Sequence, residues 1–285
     1  MKTTELFKKK TVLSYEVFPP KPTSPVNTIY DTLNELKELS PDFISVTYGA
    51  GGGKNNNETF KIAQTIRSYG IESAAHLPCI GLTKEDVLSK LRELETAGIE
   101  NILALRGDIP DGGYVKGDFK YASDLISFIK VHGDFDIIAA CYPEGHIESA
   151  SKIEDIQNLK HKVDAGVDHL ITQLFFYNEY FYSFLERCQL AGINVPIEAG
   201  IMPVINKRQI ERMASLCGST VPKKFVTMME RYEDNPVAMR DAGIAYAVDQ
   251  IVDLIAQGVQ GIHLYTMNNP YIARKIHEAV CNLIV

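Results

Sequence analysis

The sequence predicts an α/β fold, a (βα)8 barrel of the TIM type with an extra helical insertion before the last strand. Three observations carry this. Short apolar, β-branched runs alternate eight times with longer stretches of helical period along 285 residues. Several of the helical stretches end at a glycine that turns into the next strand. No GxGxxG follows any strand, so an open doubly wound sheet is the weaker reading, and repeated right-handed crossovers close most simply into a barrel.

The first strand reads as 12–18 and its helix as 24–39. The second unit pairs 42–47 with 58–69, and the third pairs 72–77 with 84–97, where Thr83 offers a cap. The fourth pairs 101–105 with 122–131, the fifth 136–141 with 153–165, the sixth 169–175 with 180–191, and the seventh 196–201 with 207–216. A helical insertion over about 222–256 precedes the eighth strand, 261–265, and its helix, 271–283. Gly70, Gly98, Gly166, Gly192 and Gly258 fall where a helix needs a left-handed cap. Without a Pro- or Ser-rich linker or a low-complexity stretch, one catalytic domain is expected over 1–285.

Lys plus Arg is 29 and Asp plus Glu is 36, a net charge of −7, which argues against nucleic acid as a partner. The basic cluster Lys8, Lys9 and Lys10 is expected to be a solvated, frayed tail. No run is apolar enough for a membrane helix or a signal-peptide core, so no membrane partner and a cytoplasmic location are expected. The five cysteines are odd in number and far apart, with no CxxC, so reduced thiols and no bound metal are expected.

In a barrel, chemistry belongs at the carboxyl ends of the strands. Polar and ionisable residues gather there: Glu16, Thr47 and Tyr48, His76, Arg106-Gly107-Asp108, Tyr142 and Glu144 with His146 beyond, Gln173, then Thr266 and Asn268. Each has a bland reading too. Glu16 is either a general acid with a raised pKa or a buried salt-bridge partner, and pattern leaves both open. Asp108 taken alone reads better as a turn or helix cap. His76, Thr47 and Gln173 are equally ordinary as interior polar residues. Gly49 to Lys54 resembles a phosphate loop but has Asn55 where Ser or Thr would hold magnesium; a loop over the barrel mouth is expected instead. Asp155, Asn158 and Lys162 share a helix face, either solvated or matched to a nucleotide.

Several stretches recur in order in one family: Glu16-Val17-Phe18-Pro19-Pro20, the run from Ser45 to Ala50, Ala75-His76-Leu77, and Leu105-Arg106-Gly107-Asp108. So do the runs Tyr121 to Leu125, Tyr142-Pro143-Glu144, Lys162 to Gly166, Ile171 to Phe176, and His263 to Thr266. In these motifs the chain resembles the bacterial, FAD-dependent methylenetetrahydrofolate reductases from about Leu13 to its C-terminus. The resemblance implies an FAD-binding barrel that reduces 5,10-methylenetetrahydrofolate to 5-methyltetrahydrofolate in one-carbon metabolism and methionine biosynthesis. It implies that Glu16 is the general acid that helps open the folate's five-membered ring, with hydride then delivered from reduced flavin. Asp108 would stabilise the cationic intermediate and anchor the pterin. Gln173 and Thr47, with Gln209 beside them, would bind substrate.

By the same resemblance, FAD would be held by Tyr48, His76, Arg106, Gly107, Asp108, Ala122, Tyr142, His146, Asp155, Asn158, His161 and Lys162. Three positions depart from those relatives: Met213 replaces a stacking Phe, Asn269 an Arg after the Tyr-Thr-x-Asn motif, and His161 an Arg on the FAD side. NADH or NADPH is the implied electron donor, with an electron-donating partner protein as the alternative and a homo-oligomer as a further expectation. The rival readings are another flavin-dependent barrel enzyme of the proline or amine dehydrogenase kind, and a non-catalytic folate or flavin carrier subunit.

Overall fold

A computed structural model describes residues 1–20, 27–48, 56–109, 113 and 116–284. Eight parallel strands close into a barrel in chain order, each paired with its sequence neighbours and the eighth with the first. The strands are β1 (Val12–Val17), β2 (Phe43–Val46), β3 (Glu72–Pro78), β4 (Asn101–Leu105), β5 (Asp136–Cys141), β6 (His169–Thr172), β7 (Ile197–Ile201) and β8 (Gly261–Tyr265). The helices are α1 (Asn27–Lys37), α2 (Asn56–Ser68), α3 (Lys84–Thr96), α4 (Ala122–His132), α5 (Lys152–Asp164), α6 (Asn178–Leu190), α7 (Lys207–Cys217), α8 (Lys223–Arg231), α9 (Pro236–Ala256) and α10 (Pro270–Val280). All eight expected strand–helix units are present. The glycine loop at 49–54 lies outside the described residues, as does the expected start of the first helix.

Alternation along each strand sorts side chains to two cores. Leu13, Tyr15 and Val17 pack outward with Ile44, Val46, Ala75, Leu77 and the helices. Val12, Phe43, Ala74, Leu103, Ile138 and Ile171 fill the lower interior. A buried aliphatic side chain contributes about 1.5–3 kcal/mol, so this outward stripe holds the helices onto the barrel. The same alternation assigns Ser14 and Glu16 to the interior, above Val12.

Gly70, Gly98, Gly166, Gly192 and Gly258 all have positive φ, as the cap reading requires. Thr83 caps α3 through Asp86 N–H. The sixth strand is shorter than expected, stopping at Thr172. It stays paired with the fifth strand, but its ladder with the seventh ends at Ile171: Gly200 N–H donates to Thr172 Oγ1 at 2.9 Å and the Tyr265 hydroxyl donates to Thr172 O at 2.7 Å. The insertion is two helices, divided where Asn235 Oδ1 accepts from Ala238 N–H ahead of Pro236.

The start of the chain is not the frayed tail expected. A short 3-10 turn over Thr3–Glu5 seals the bottom of the barrel. Thr3 is fully buried, its hydroxyl donating to Asp136 at 2.8 Å and its N–H to Asn101 Oδ1. Polar groups at the ends of β4 and β5 need partners once water is excluded, and this segment supplies them. Lys8, Lys9 and Lys10 are exposed, as expected, and Lys10 pairs with Asp42 at 2.9 Å.

Candidate active site

The carboxyl ends of the strands bring Glu16, Thr47, Tyr48, His76, Arg106, Gly107, Asp108, Tyr142 and Gln173 to one rim. Glu16 is the best built of them. Parallel register sets it beside Ser45 of β2 and Tyr265 of β8. Its Oε2 lies 3.5 Å from His76 Nε2 and 3.6 Å from His263 Nε2, and its side chain keeps 19 % exposure. Its backbone is clamped from the eighth strand's loop. Thr266 Oγ1 donates to Glu16 O at 2.6 Å, while Asn268 accepts from Phe18 N–H and donates to Phe18 O. Met267 and Asn268, within the clamp, hold positive φ, a backbone strain of the kind that collects at functional sites.

The electrostatics reverse one expectation. Burial pushes the Glu16 carboxyl up, but contact with His263, the His76 ring and the Ser45 hydroxyl together outweigh it and hold the carboxyl below the usual glutamate value. The raised pKa that went with the general-acid reading does not hold, because the neighbours across the barrel are polar. Burial takes His76 the other way, down to about 4.

Asp108 is exposed, and the residues just beyond it that a turn cap would engage lie outside the described residues. Gly107 holds φ +88, and a Cβ there would meet Ile80 at 2.9 Å. Arg106 makes a two-pronged pair with Glu148, at 2.6 and 2.8 Å. Tyr48 has a buried hydroxyl without a hydrogen-bond partner among the described residues, and burial pushes it up to about 12. Gln173 Oε1 accepts from Leu174 N–H at 2.8 Å, and among the described residues its amide donors have no bond.

The helix face after the fifth strand is not uniform. Asp155 is buried and accepts from His146 N–H at 3.0 Å and from Ser149 Oγ at 3.2 Å, tying down the preceding loop. Lys162 donates to Ala140 O at 2.8 Å, and burial lowers its pKa. Asn158 and His161 are exposed, and His161 lines a groove of about 440 Å³ between α5 and α6, outside the barrel. Tyr142 stacks edge-on against His146 at 4.6 Å. Ala122 is buried at the start of α4, where Asp124 accepts from Tyr121 N–H.

Three substrate-side or donor-side positions sit apart from the acid. Gln209 is half-buried in the first turn of α7, capped by Asn206. Met213, one turn on, packs with Met202, Met229 and Met239. Asn269 is the N-cap of α10, accepting from Ile272 N–H. Sequence reasoning missed Ser14, His169, Glu198 and the His263 ring. The available signal was parity: Ser14 shares Glu16's face, and the others are ionisable residues inside apolar strands.

A closed parallel barrel with a clamped carboxylate among histidines at its mouth has the architecture of a (βα)8 enzyme with its site at the carboxyl face. A family model described as methylenetetrahydrofolate reductase matches residues 2–281. The 5,10-methylenetetrahydrofolate reductase of Pectobacterium carotovorum subsp. carotovorum is 38% identical over 95% of this chain and 89% of that protein. Methylenetetrahydrofolate reductase (NADH) 1 of Arabidopsis thaliana is 36% identical over 91% of this chain and 46% of that protein. The chain belongs to the methylenetetrahydrofolate reductase family, and it is an oxidoreductase of that class. A solved structure of an uncharacterized Clostridium thermocellum protein, described as binding two copies of 5-methyl-5,6,7,8-tetrahydrofolic acid, matches with a TM-score of 0.68. It is 14% identical, covering 98% of this chain and 97% of that one, a likeness of fold alone.

Proposed function

We propose that this chain reduces 5,10-methylenetetrahydrofolate to 5-methyltetrahydrofolate, with FAD as its redox group and Glu16 as general acid. The observation that carries the reading is Glu16 itself: a carboxylate at the barrel mouth, clamped through its backbone, with histidines and no Lys or Arg within 4.0 Å among the described residues. A purely structural carboxylate would be expected to hold Lys or Arg, the usual partners of a buried charge.

The rim fits FAD. Arg106 is a cation whose present partner, Glu148, is 52% exposed and readily exchanged for a diphosphate. Among the described residues, Tyr48 Oη and His76 Nε2 are buried polar atoms without hydrogen bonds. Gly107 keeps backbone close to the rim where any side chain would collide. Tyr48, His76, Arg106, Gly107, Asp108, Ala122, Tyr142 and His146 would hold the group on the barrel side. Asp155, Asn158, His161 and Lys162 would do so along α5. Bound FAD supplies hydride transfer.

The remaining steps fall to side chains. Gln173 and Thr47 orient the pterin, with Gln209 further out. Substrate covers the exposed face of Glu16 and removes its water, which favours the protonated carboxyl. Glu16 then gives its proton to the folate nitrogen whose bond to the bridging carbon breaks. The exposed carboxylate of Asp108 faces the positive charge that this leaves on the substrate. NADH is the proposed electron donor, with NADPH or a protein donor as the alternatives; the chain would act in the cytoplasm as one catalytic domain.

The test is anaerobic. The purified protein is expected to show flavin absorbance that methyltetrahydrofolate reverses from oxidised to reduced. Glu16→Gln should retain the flavin and lose folate-linked turnover by about 10³-fold, within the range of general acid catalysis. Turnover at the normal rate would remove Glu16 from its role, and no bleaching by the folate would remove the activity.

A further inference from the structure

Below Glu16, the barrel interior holds a line of polar groups that the proposed reaction does not use. His263 Nδ1 lies 2.6 Å from Ser14 Oγ, and Ser14 Oγ lies 2.5 Å from Glu198 Oε2. Glu198 Oε1 lies 3.4 Å from His169 Nε2, and His169 Nδ1 lies 3.9 Å from Asp136. Ser14, Glu198, His169 and His263 are all completely buried. Among the described residues no Lys or Arg lies within 4.0 Å of either the Glu16 or the Glu198 carboxylate. Room for Glu198 is made by Gly261, where a Cβ would come within 2.7 Å of Glu198 Cγ and 3.1 Å of Phe7. A buried carboxylate without a cation is costly, and here two short contacts link it to His263, whose other ring nitrogen lies 3.6 Å from the acid.

The contacts restrict where the protons sit. One Ser14 hydroxyl hydrogen cannot serve both neighbours. If it donates to Glu198, Ser14 Oγ accepts from His263 Nδ1–H, and the other ring nitrogen faces Glu16. A proton between His263 Nε2 and Glu16 Oε2 then has two homes. With it on His263, an imidazolium lies between two carboxylates. Its transfer breaks the Nε2–H bond and forms the Oε2–H bond, leaving a neutral Nδ1–H imidazole, a neutral Glu16 and the negative charge on Glu198. No proton is gained or lost.

We propose that Glu198 is a positioning residue for the acid, holding one proton on the Glu16–His263 pair through Ser14 and fixing the His263 tautomer that passes it to Glu16. This rests on the reading of Glu16 as general acid. The negative charge of Glu198 raises the proton affinity of the pair above it, as one carboxylate does for another at a shared site. His76, Ser45 and Tyr265 also face Glu16, and His169 and Phe7 face Glu198, with Asp136 behind His169; these groups are unchanged in the test below.

The experiment uses the FAD-loaded enzyme and the pH dependence of kcat/KM for the folate half-reaction, with reduction of the flavin by NADH as the control. Glu198→Gln is expected to move the limb that reports the protonated acid down by about one unit or more. That is about a tenfold loss at pH ~7, recovered at lower pH. The control reaction should stay within about twofold. Ser14→Ala, which keeps both carboxylates and deletes only the bridge, should move the limb the same way and serves if Glu198→Gln does not fold. The wild type carries an independent readout: an infrared band of a protonated buried carboxyl at neutral pH in the folate-bound enzyme, absent from Glu16→Gln. A limb that stays in place in the folded variant, or the lack of that band, overturns the proposal. If Glu16→Gln alone turned over folate normally, the acid assignment would fail instead, whatever Glu198 does.

Discussion

The two sides of the barrel mouth are built differently. On the side of β1, β3 and β8, Glu16 is held by buried contacts: histidines at 3.5 and 3.6 Å and a backbone clamp from Thr266 and Asn268. On the side of β4 and α5, Asp108, Asn158 and His161 are exposed and Arg106 is paired with a surface glutamate. The first side is finished before any ligand arrives. The second is mixed: Asp155 and Lys162 are held by buried bonds, while Asp108 and Asn158 are exposed and Arg106 has an exchangeable partner. Proton transfer needs an acid fixed to a fraction of an ångström, whereas a large anionic cofactor can bring much of its own order with it.

This contrast makes graded predictions, with the loss of turnover in Glu16→Gln as the largest. Next comes the pH dependence of stability on the acid side. His76 stays neutral in the folded protein down to about 4, while an unfolded histidine takes a proton near ~6.5. Between these values the unfolded chain binds more protons, so stability rises with pH and is lost as pH falls through the window. The total is on the order of 3 kcal/mol. The lowered value of Glu16 acts in the same sense at still lower pH. Urea unfolding across this range should show the slope, and His76→Gln should flatten it; an unchanged slope would contradict the assignment to His76.

The clamp comes third. Thr266→Val keeps the shape but leaves Glu16 O and Asn268 N–H without the Oγ1 partner. A cost of about 1–2 kcal/mol in unfolding free energy is expected, with kcat falling further than FAD affinity does. An equal loss in both would mean that the clamp only stabilises the fold. The smallest effect belongs to the cofactor side. Glu148→Gln releases Arg106 from an exposed pair worth less than about 1 kcal/mol. FAD should bind a few-fold tighter by titration, and weaker binding would mean that Glu148 orients Arg106 for the cofactor.

Legibility followed the range of the interactions. The strand boundaries, the glycine caps and the Thr83 cap were readable because each depends on residues a few positions apart. Glu16, Thr47 and Gln173 were readable as rim residues, since their place near the ends of apolar strands is itself a sequence feature. The shorter sixth strand was not, because Gly200 and Tyr265 cut it short from other strands. The anchored N-terminus was hidden for the same reason: Thr3 finds Asp136 more than a hundred residues away.

Sequence by itself determined the alternation of elements, the caps and the set of polar residues delivered to the rim, because backbone sterics and side-chain periodicity act locally. Only the closed barrel decided which buried polar groups meet, and therefore in which direction the Glu16 carboxyl is moved. Desolvation and partnering depend on the neighbours that closure brings together: Ser14 with His263 and Glu198, and Glu16 with His76. A carboxylate in an apolar strand looks costly until the far wall of the barrel is in place.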